Sequence, residues 1–173
     1  MHDRTQIKWI LAAFVAVMLT AGAVVANDSA TVAEQINGLQ QMCADTSQAR
    51  AQRQAEQPLF DRLGGYDRVH ELTREVVRLH FENDALDRIM VGVDGERLAK
   101  NVADFVSTGT GGPKVYTGRD MPTAHAHLHL TDADFLAAGG DIVKAMQTMG
   151  YGQNEIDEFV CILVSLKDQV VFE

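Results

Sequence analysis

Apolar residues recur every three or four positions from Pro58 to the end of the chain, and this spacing limits the possible folds more than any other feature. Since an α-helix turns about 100° per residue, side chains at this spacing share one face of a helix. No stretch alternates apolar and polar residues convincingly, as strands do. Four amphipathic stretches carry the pattern: Val69, Leu72, Val76 and Leu79; Leu98, Val102, Phe105 and Val106; Phe135, Ile142, Val143, Met146 and Met149; and Ile156, Phe159, Val160, Leu163 and Val170. The sequence therefore predicts an all-α domain of four longer and two short helices over residues 58–173.

Glycines mark the joints between these predicted helices. Gly64 and Gly65 follow the segment LFDRL, and Gly150 and Gly152 separate the last two stretches. The polar segment GTGGPKVYTGRDM is typical of a long ordered loop between helices.

The first residues have the composition of an export signal. Arg4 and Lys8 precede an apolar run from Trp9 to Val25, and Val24 and Ala26 stand where a signal peptidase reads small residues. We expect residues 1–26 to be a signal peptide; the alternative is an uncleaved membrane anchor through residues 9–25. Either reading predicts an exported protein, periplasmic or otherwise outside the cytoplasm.

Residues 27–57 are rich in Ala, Gln and charged residues, which indicates a linker or a loosely docked helix. The two cysteines, Cys43 and Cys161, allow one disulfide bond or two buried free thiols. Because the export signal implies an oxidising destination, we predict that they are paired.

The acidic balance of the chain, a formal net charge of −9, argues against two classes of partner. Nucleic acids and anionic membranes would both repel such a surface, so we expect neither as a partner, apart from the N-terminal segment if it stays as an anchor.

Three of the six histidines stand at alternate positions in the segment HAHLHLTDADF, residues 125–135. On a helix His125 and His129 would share a face, and His127 would point the other way. A pair at this spacing resembles a zinc site, but no Glu or Cys stands at a helpful local spacing as third ligand. Thr131 and Asp134 moreover predict a capping box that begins a new helix and breaks this face before His129.

Four segments in order, LFDRLGGYDRVHELTREVV, GVDGERL, GGPKVYTGRDM and AHAHLHLTDADF, resemble the group 1 truncated haemoglobins over roughly residues 58–172. The resemblance implies a two-over-two α-helical sandwich, a truncated globin fold, with one haem b (iron protoporphyrin IX) per chain. It also implies His125 as the proximal iron ligand. Helix geometry makes His129 the replacement and His127 a solvated residue or one beside the ligand, and three surface histidines remain the alternative. An axial histidine is neutral, and its second ring nitrogen is held by a carbonyl or carboxylate.

The chain departs from the family on the distal side of the haem. The family's distal tyrosine and glutamine match Val77 and Val102, the third distal position matches Leu98, and Met90 replaces a phenylalanine. The resemblance therefore implies an apolar distal pocket, whereas in a haem-free relative these residues are plain helix core. Further candidates for contact with the cofactor are Phe105, Tyr116 and Met121, with Lys114 near the haem propionates.

An apolar distal pocket favours reversible binding of a diatomic gas, since a hydrogen-bond donor would be needed to hold dioxygen firmly. Carbon monoxide and nitric oxide depend less on such a donor. The enzymatic alternative is nitric oxide dioxygenation, which needs a reductase as partner and stable binding of dioxygen. A third hypothesis is a haem-free or metal-binding interaction module that uses the HAHLH segment.

Overall fold

The computed structural model describes residues 28–172, with side chains from residue 31 onward, so the expected signal peptide lies outside the described residues. These residues form nine α-helices: α1 (Asp28–Asp45), α2 (Ser47–Glu56), α3 (Leu59–Arg62), α4 (Gly65–Glu82), α5 (Asp87–Met90), α6 (Gly95–Thr110), α7 (Met121–His125), α8 (Asp132–Thr148) and α9 (Gln153–Val170). Two short 3-10 turns, Asp84–Leu86 and Ala126–Leu128, precede α5 and follow α7. The predicted all-α fold is confirmed, and the described part of residues 58–173 holds one short helix more than expected, three instead of two.

Local signals in the sequence set the helix boundaries. Gly64 adopts φ 92° just before α4, and a Cβ there would come within 3.1 Å of the Arg68 side chain, so this turn requires glycine. At the start of α8 the Thr131 hydroxyl accepts from the Asp134 amide, and the Asp134 carboxylate accepts from the Thr131 amide. The predicted capping box is therefore confirmed.

The core lies where the four longer helices meet. Helix α4 packs on α6 and α8, and α8 packs on α9. The side chains of Leu72, Val69 and Met146 are fully buried at this centre, with Phe159 beside them. Burial of each large apolar side chain contributes roughly 1.5–3 kcal/mol, so these helix faces hold the domain together. Among the described residues, no helix combines the length and the apolar character needed to span a bilayer.

Residues 28–56, in the stretch expected to be a linker or a loosely docked helix, form α1 and α2. Helix α1 lies against α8 and α9, and a disulfide bond joins Cys43 of α1 to Cys161 of α9, which confirms the predicted pairing. Helix α2 is tied to α9 by an ion pair between Arg53 and the buried Glu158.

Candidate functional site

A cavity of about 250 Å³ lies between α4, α6, α8 and α9. Apolar side chains form most of its wall. The lining residues are Leu72, Thr73 and Val76 of α4; Val102, Phe105, Val106, Gly109 and Thr110 of α6; Ile142 of α8; and Phe159, Ile162, Leu163 and Leu166 of α9. A concave apolar space of this kind is suited to a largely apolar ligand.

The two hydroxyl groups in the wall are already used inside the protein. The Thr73 hydroxyl donates to the carbonyl oxygen of Ala99 at 2.8 Å and lies 3.0 Å from that of His70. The Thr110 hydroxyl donates to the carbonyl oxygen of Val106 at 2.6 Å. A hydroxyl carries a single proton, so neither threonine has a donor left for a molecule in the cavity.

His125 is the last residue of α7, and its ring is held at one nitrogen. Nδ1 lies 2.8 Å from the carbonyl oxygen of Met121, one turn earlier in the same helix. Because a carbonyl oxygen only accepts, Nδ1 carries the proton, and in the neutral ring Nε2 then presents its lone pair. This is the tautomer and the second contact that a metal-ligating histidine needs. His125 does not itself line the cavity; α7 packs on α9, whose Ile162 and Leu166 belong to the cavity wall.

The distal candidates and Phe105, a further candidate for contact with the cofactor, fall into two groups. Val102 and Phe105 line the cavity. Val77, Met90 and Leu98 do not; Val77 and Met90 are buried in a neighbouring apolar cluster, and Leu98 packs against it. The structure therefore brings Val102 and Phe105 together at the cavity and separates them from the other three.

The loop before α7 reaches the cavity through an aromatic contact. The Tyr116 ring meets the Phe105 ring edge to face, with centroids 5.3 Å apart, and the Tyr116 hydroxyl donates to the Arg119 carbonyl oxygen at 2.9 Å. The Lys114 ammonium lies over the ring of Tyr66, 4.7 Å from its centroid. Met121 is half-buried, and its contact with His125 runs through its backbone carbonyl.

The neighbouring histidines are placed differently from His125. His129 adopts φ 47° after the second 3-10 turn, so it does not continue the helix of His125, and both His127 and His129 are exposed. His80 is tied to α8, with Nδ1 2.9 Å from the Asp141 carboxylate. Among residues 28–172, no three His, Cys, Asp or Glu side chains are grouped so as to hold a metal ion.

Sequence reasoning missed a set of contacts that fixes the segment after His125. Arg88 donates to the carbonyl oxygen of Leu128 at 3.0 Å and pairs with the Asp134 carboxylate, which also accepts from Thr131. The Phe172 amide donates to the Leu130 carbonyl oxygen at 3.0 Å. The capping box pointed to Asp134, but no local signal identifies Arg88, which stands 46 positions away from it.

The fold resembles solved truncated haemoglobins. A truncated haemoglobin of Tetrahymena pyriformis in its Fe(III) form superposes with a TM-score of 0.63 at 19% identity, covering 68% of this chain and all of the other. A two-over-two haemoglobin of a Synechococcus species, described with covalently attached haem, superposes with a TM-score of 0.60 at 28% identity and covers 65% and 94% of the two chains.

Sequence relatives agree with this likeness. A group 1 truncated haemoglobin of Tetrahymena thermophila is 26% identical over 100 residues, which are 58% of this chain and 83% of the relative. One from a Nostoc species is 24% identical over 113 residues, or 65% and 96% of the two chains. A model of the bacterial-like globin family matches residues 58–172, the stretch that holds α3 to α9, the cavity and His125. With two thirds of its length matched in this way, the chain belongs to the bacterial-like globin family and has the two-over-two fold of the truncated haemoglobins.

Proposed function

We propose that this globin binds one haem b against the apolar wall between α4, α6, α8 and α9, with Nε2 of His125, on α7 beside α9, as the proximal iron ligand. We propose further that the iron reversibly binds a diatomic gas. The observation that carries the proposal is the hydrogen bond from His125 Nδ1 to the Met121 carbonyl oxygen, which leaves Nε2 as the free nitrogen. Membership of a haem-binding family supports the choice of cofactor.

The residues present fit a haem. The apolar wall suits the faces of a porphyrin, and a neutral histidine with a fixed ring is the usual axial ligand in globins. Phe105 and Tyr116 extend the apolar surface toward the loop before α7. When bound, the haem would supply a ferrous iron that binds diatomic gases. The protein supplies the ligand nitrogen of His125, the hydrogen bond that orients its ring and the apolar wall of the cavity.

The wall of the cavity decides which gases are favoured. With the Thr73 and Thr110 protons donated to backbone carbonyls, a bound gas meets no donor among the cavity-lining residues. Dioxygen depends on such a donor because it gathers negative charge on binding, whereas carbon monoxide gathers less. Dioxygen should therefore leave quickly. Nitric oxide dioxygenation requires long-lived binding of dioxygen and a reductase, and this wall does not favour it.

Export is part of the proposal. Arg4 and Lys8 followed by the apolar run Trp9–Val25 support a signal peptide over residues 1–26, and the disulfide bond suits an oxidising compartment such as a periplasm. The mass of the mature protein from a native host tests this: a chain that begins at or near Asn27 supports cleavage, and an intact N-terminus supports an anchor.

Haem binding is tested by comparing His125→Ala with His129→Ala. We expect the wild type and His129→Ala to purify with a Soret band and one haem per chain, and His125→Ala to lose most of its haem. Circular dichroism checks that all three proteins remain helical. Full haem content in a folded His125→Ala would overturn the ligand assignment, and absence of haem binding in the wild type would overturn the whole proposal.

A further inference from the structure

Helix α1 has a small apolar contact with the rest of the chain. Ile36 is its one buried side chain among residues 31–45, while Leu39 and Met42 are partly buried against the core. Gly38 stands in mid-helix, and a Cβ there would meet nothing within 4 Å, so packing does not require a glycine that weakens the helix. Most of the stability of a helix in a protein comes from the packing of its apolar face, and α1 buries a single side chain among residues 31–45. The disulfide bond from Cys43 to Cys161 is the one covalent cross-link between α1 and the helices on which it packs.

Helix α2 is held by different means. Arg53 Nε lies 2.5 Å from the carboxylate of Glu158, whose side chain is 6% exposed, and Arg62 pairs with the same carboxylate. The Gln54 side chain accepts from the Leu59 amide at 2.8 Å. Because removal of one partner from a buried ion pair is costly, α2 should stay docked without the disulfide.

A second cavity, of about 290 Å³, lies between α1, α8 and α9. Leu39 of α1 forms one side of it, and Gly139 and Gly140 of α8 form another. Leu163 of α9 lines this cavity and the first one, so the two spaces share a wall. Departure of α1 would remove Leu39 from this wall and expose more of the apolar lining that α8 and α9 contribute.

We propose that the Cys43–Cys161 disulfide is a redox latch, whose reduction by a dithiol releases α1 from α8 and α9 while α2 and the globin domain stay folded. Cys43 is half-buried and Cys161 is 5% exposed, so the thiolate of the dithiol attacks the Sγ of Cys43. The S–S bond breaks and Cys161 leaves as a thiolate that takes up a proton. The second thiol of the reductant then attacks the mixed disulfide and frees Cys43. The dithiol ends as a disulfide, having given two electrons to the protein.

Hydrogen exchange measured by mass spectrometry on the full chain, with and without dithiothreitol, tests the latch. Alkylation after the reaction shows that both thiols have formed. We expect amide exchange over residues 31–45 to rise at least about tenfold on reduction, and exchange over residues 47–56 and in α9 to change by less than about twofold. Reoxidation with oxidised glutathione should restore the original protection of α1.

The matched variant is Cys43→Ser, which removes the disulfide bond at its half-buried end and leaves the buried Cys161 in place. Without reductant it should exchange in α1 as the reduced wild type does, and dithiothreitol should have no further effect on it. Unchanged protection of residues 31–45 in fully alkylated protein would overturn the latch. Faster exchange in every helix would also overturn it, because the disulfide would then hold the whole fold rather than α1.

Discussion

The Thr73 hydroxyl oxygen lies 2.8 Å from the carbonyl oxygen of Ala99, so α4 donates to α6 at the wall of the cavity rather than into it. Thr73 is 2% exposed, and its hydrogen bond joins α4 to α6, the two described helices that pack most extensively on each other. The hydroxyl of this wall residue therefore stabilises the contact between α4 and α6 and offers no donor to a molecule in the cavity.

Thr73→Val tests this assignment, since valine keeps the shape of threonine and lacks the hydroxyl. We expect a loss of about 0.5–1.5 kcal/mol in the free energy of unfolding, the usual contribution of one hydrogen bond. Dioxygen release from the ferrous protein should stay within about twofold of the wild type. Urea unfolding and stopped-flow release measure the two quantities, and a tenfold faster release would show that the hydroxyl reaches the gas.

Val102→Gln places a donor at a position that lines the cavity. A hydrogen bond to bound dioxygen of about 1.4 kcal/mol would slow its release about tenfold, with a much smaller effect on carbon monoxide. Val102→Leu is the matched control, because it adds bulk without a donor. Equal slowing of both gases in both variants would indicate a steric effect and contradict the expected selectivity.

Val77→Tyr should behave differently, although the resemblance matches this position to the family's distal tyrosine. Val77 is buried in the cluster beside the cavity, and its Cγ1 lies 3.3 Å from where a Cβ on Gly95 would stand. The larger ring should overpack this cluster and lower the free energy of unfolding by about 1–3 kcal/mol. Selective slowing of dioxygen release at normal stability would show that residue 77 does reach the bound gas.

The Tyr66 phenol should titrate at unusually high pH. Its hydrogen bond to Asp104, with burial and the charge of that carboxylate, raises the pKa of Tyr66 from 10.0 to about 12. Since the pKa of Tyr66 is higher in the folded state, the protonated phenol contributes to the free energy of unfolding. This contribution is complete below about pH 10 and is lost as pH rises through about 12. Alkaline titration of phenolate absorbance should show this late step.

Two variants identify that step. Tyr66→Phe should remove it, and Asp104→Asn should shift it to lower pH, because the charged acceptor is gone. If the late step persisted in Tyr66→Phe, it would belong to another tyrosine, such as Tyr151, whose pKa is also raised by burial.

Glu158→Gln should weaken the attachment of α2. The carboxylate pairs with Arg53 and Arg62, whose side chains are 27% and 11% exposed. We therefore expect the free energy of unfolding to fall by about 2–3 kcal/mol, somewhat less than for a fully buried pair. Glu155→Gln removes a single partner of Arg62 and should cost less than about 1 kcal/mol. Urea unfolding with the disulfide intact measures both, and equal losses would contradict a special role for Glu158.

Features that depend on neighbours in sequence could be predicted from the sequence. The four long helices follow from apolar spacing, and the start of α8 follows from Thr131 and Asp134, which lie within one turn of each other. The resemblance singled out His125, and the partner of its Nδ1, the Met121 carbonyl oxygen, is one helical turn away. Such contacts are within reach wherever the local backbone is helical, because both partners lie within one turn of each other.

Only the tertiary structure decided which of these residues share a wall. Val77 and Val102 both belong to amphipathic helix faces of the same period. Val102 nevertheless lines the cavity and Val77 packs beside it, because the packing of α4 against α6 determines which side chains reach the cavity. The pairing of Cys43 with Cys161 was predicted from the export signal, but the docking of α1 against α9, which brings the two cysteines together across 118 positions, was decided by the tertiary structure. Periodicity fixes the face of a helix, but the meeting of two faces depends on packing summed over the whole core, which no local spacing encodes.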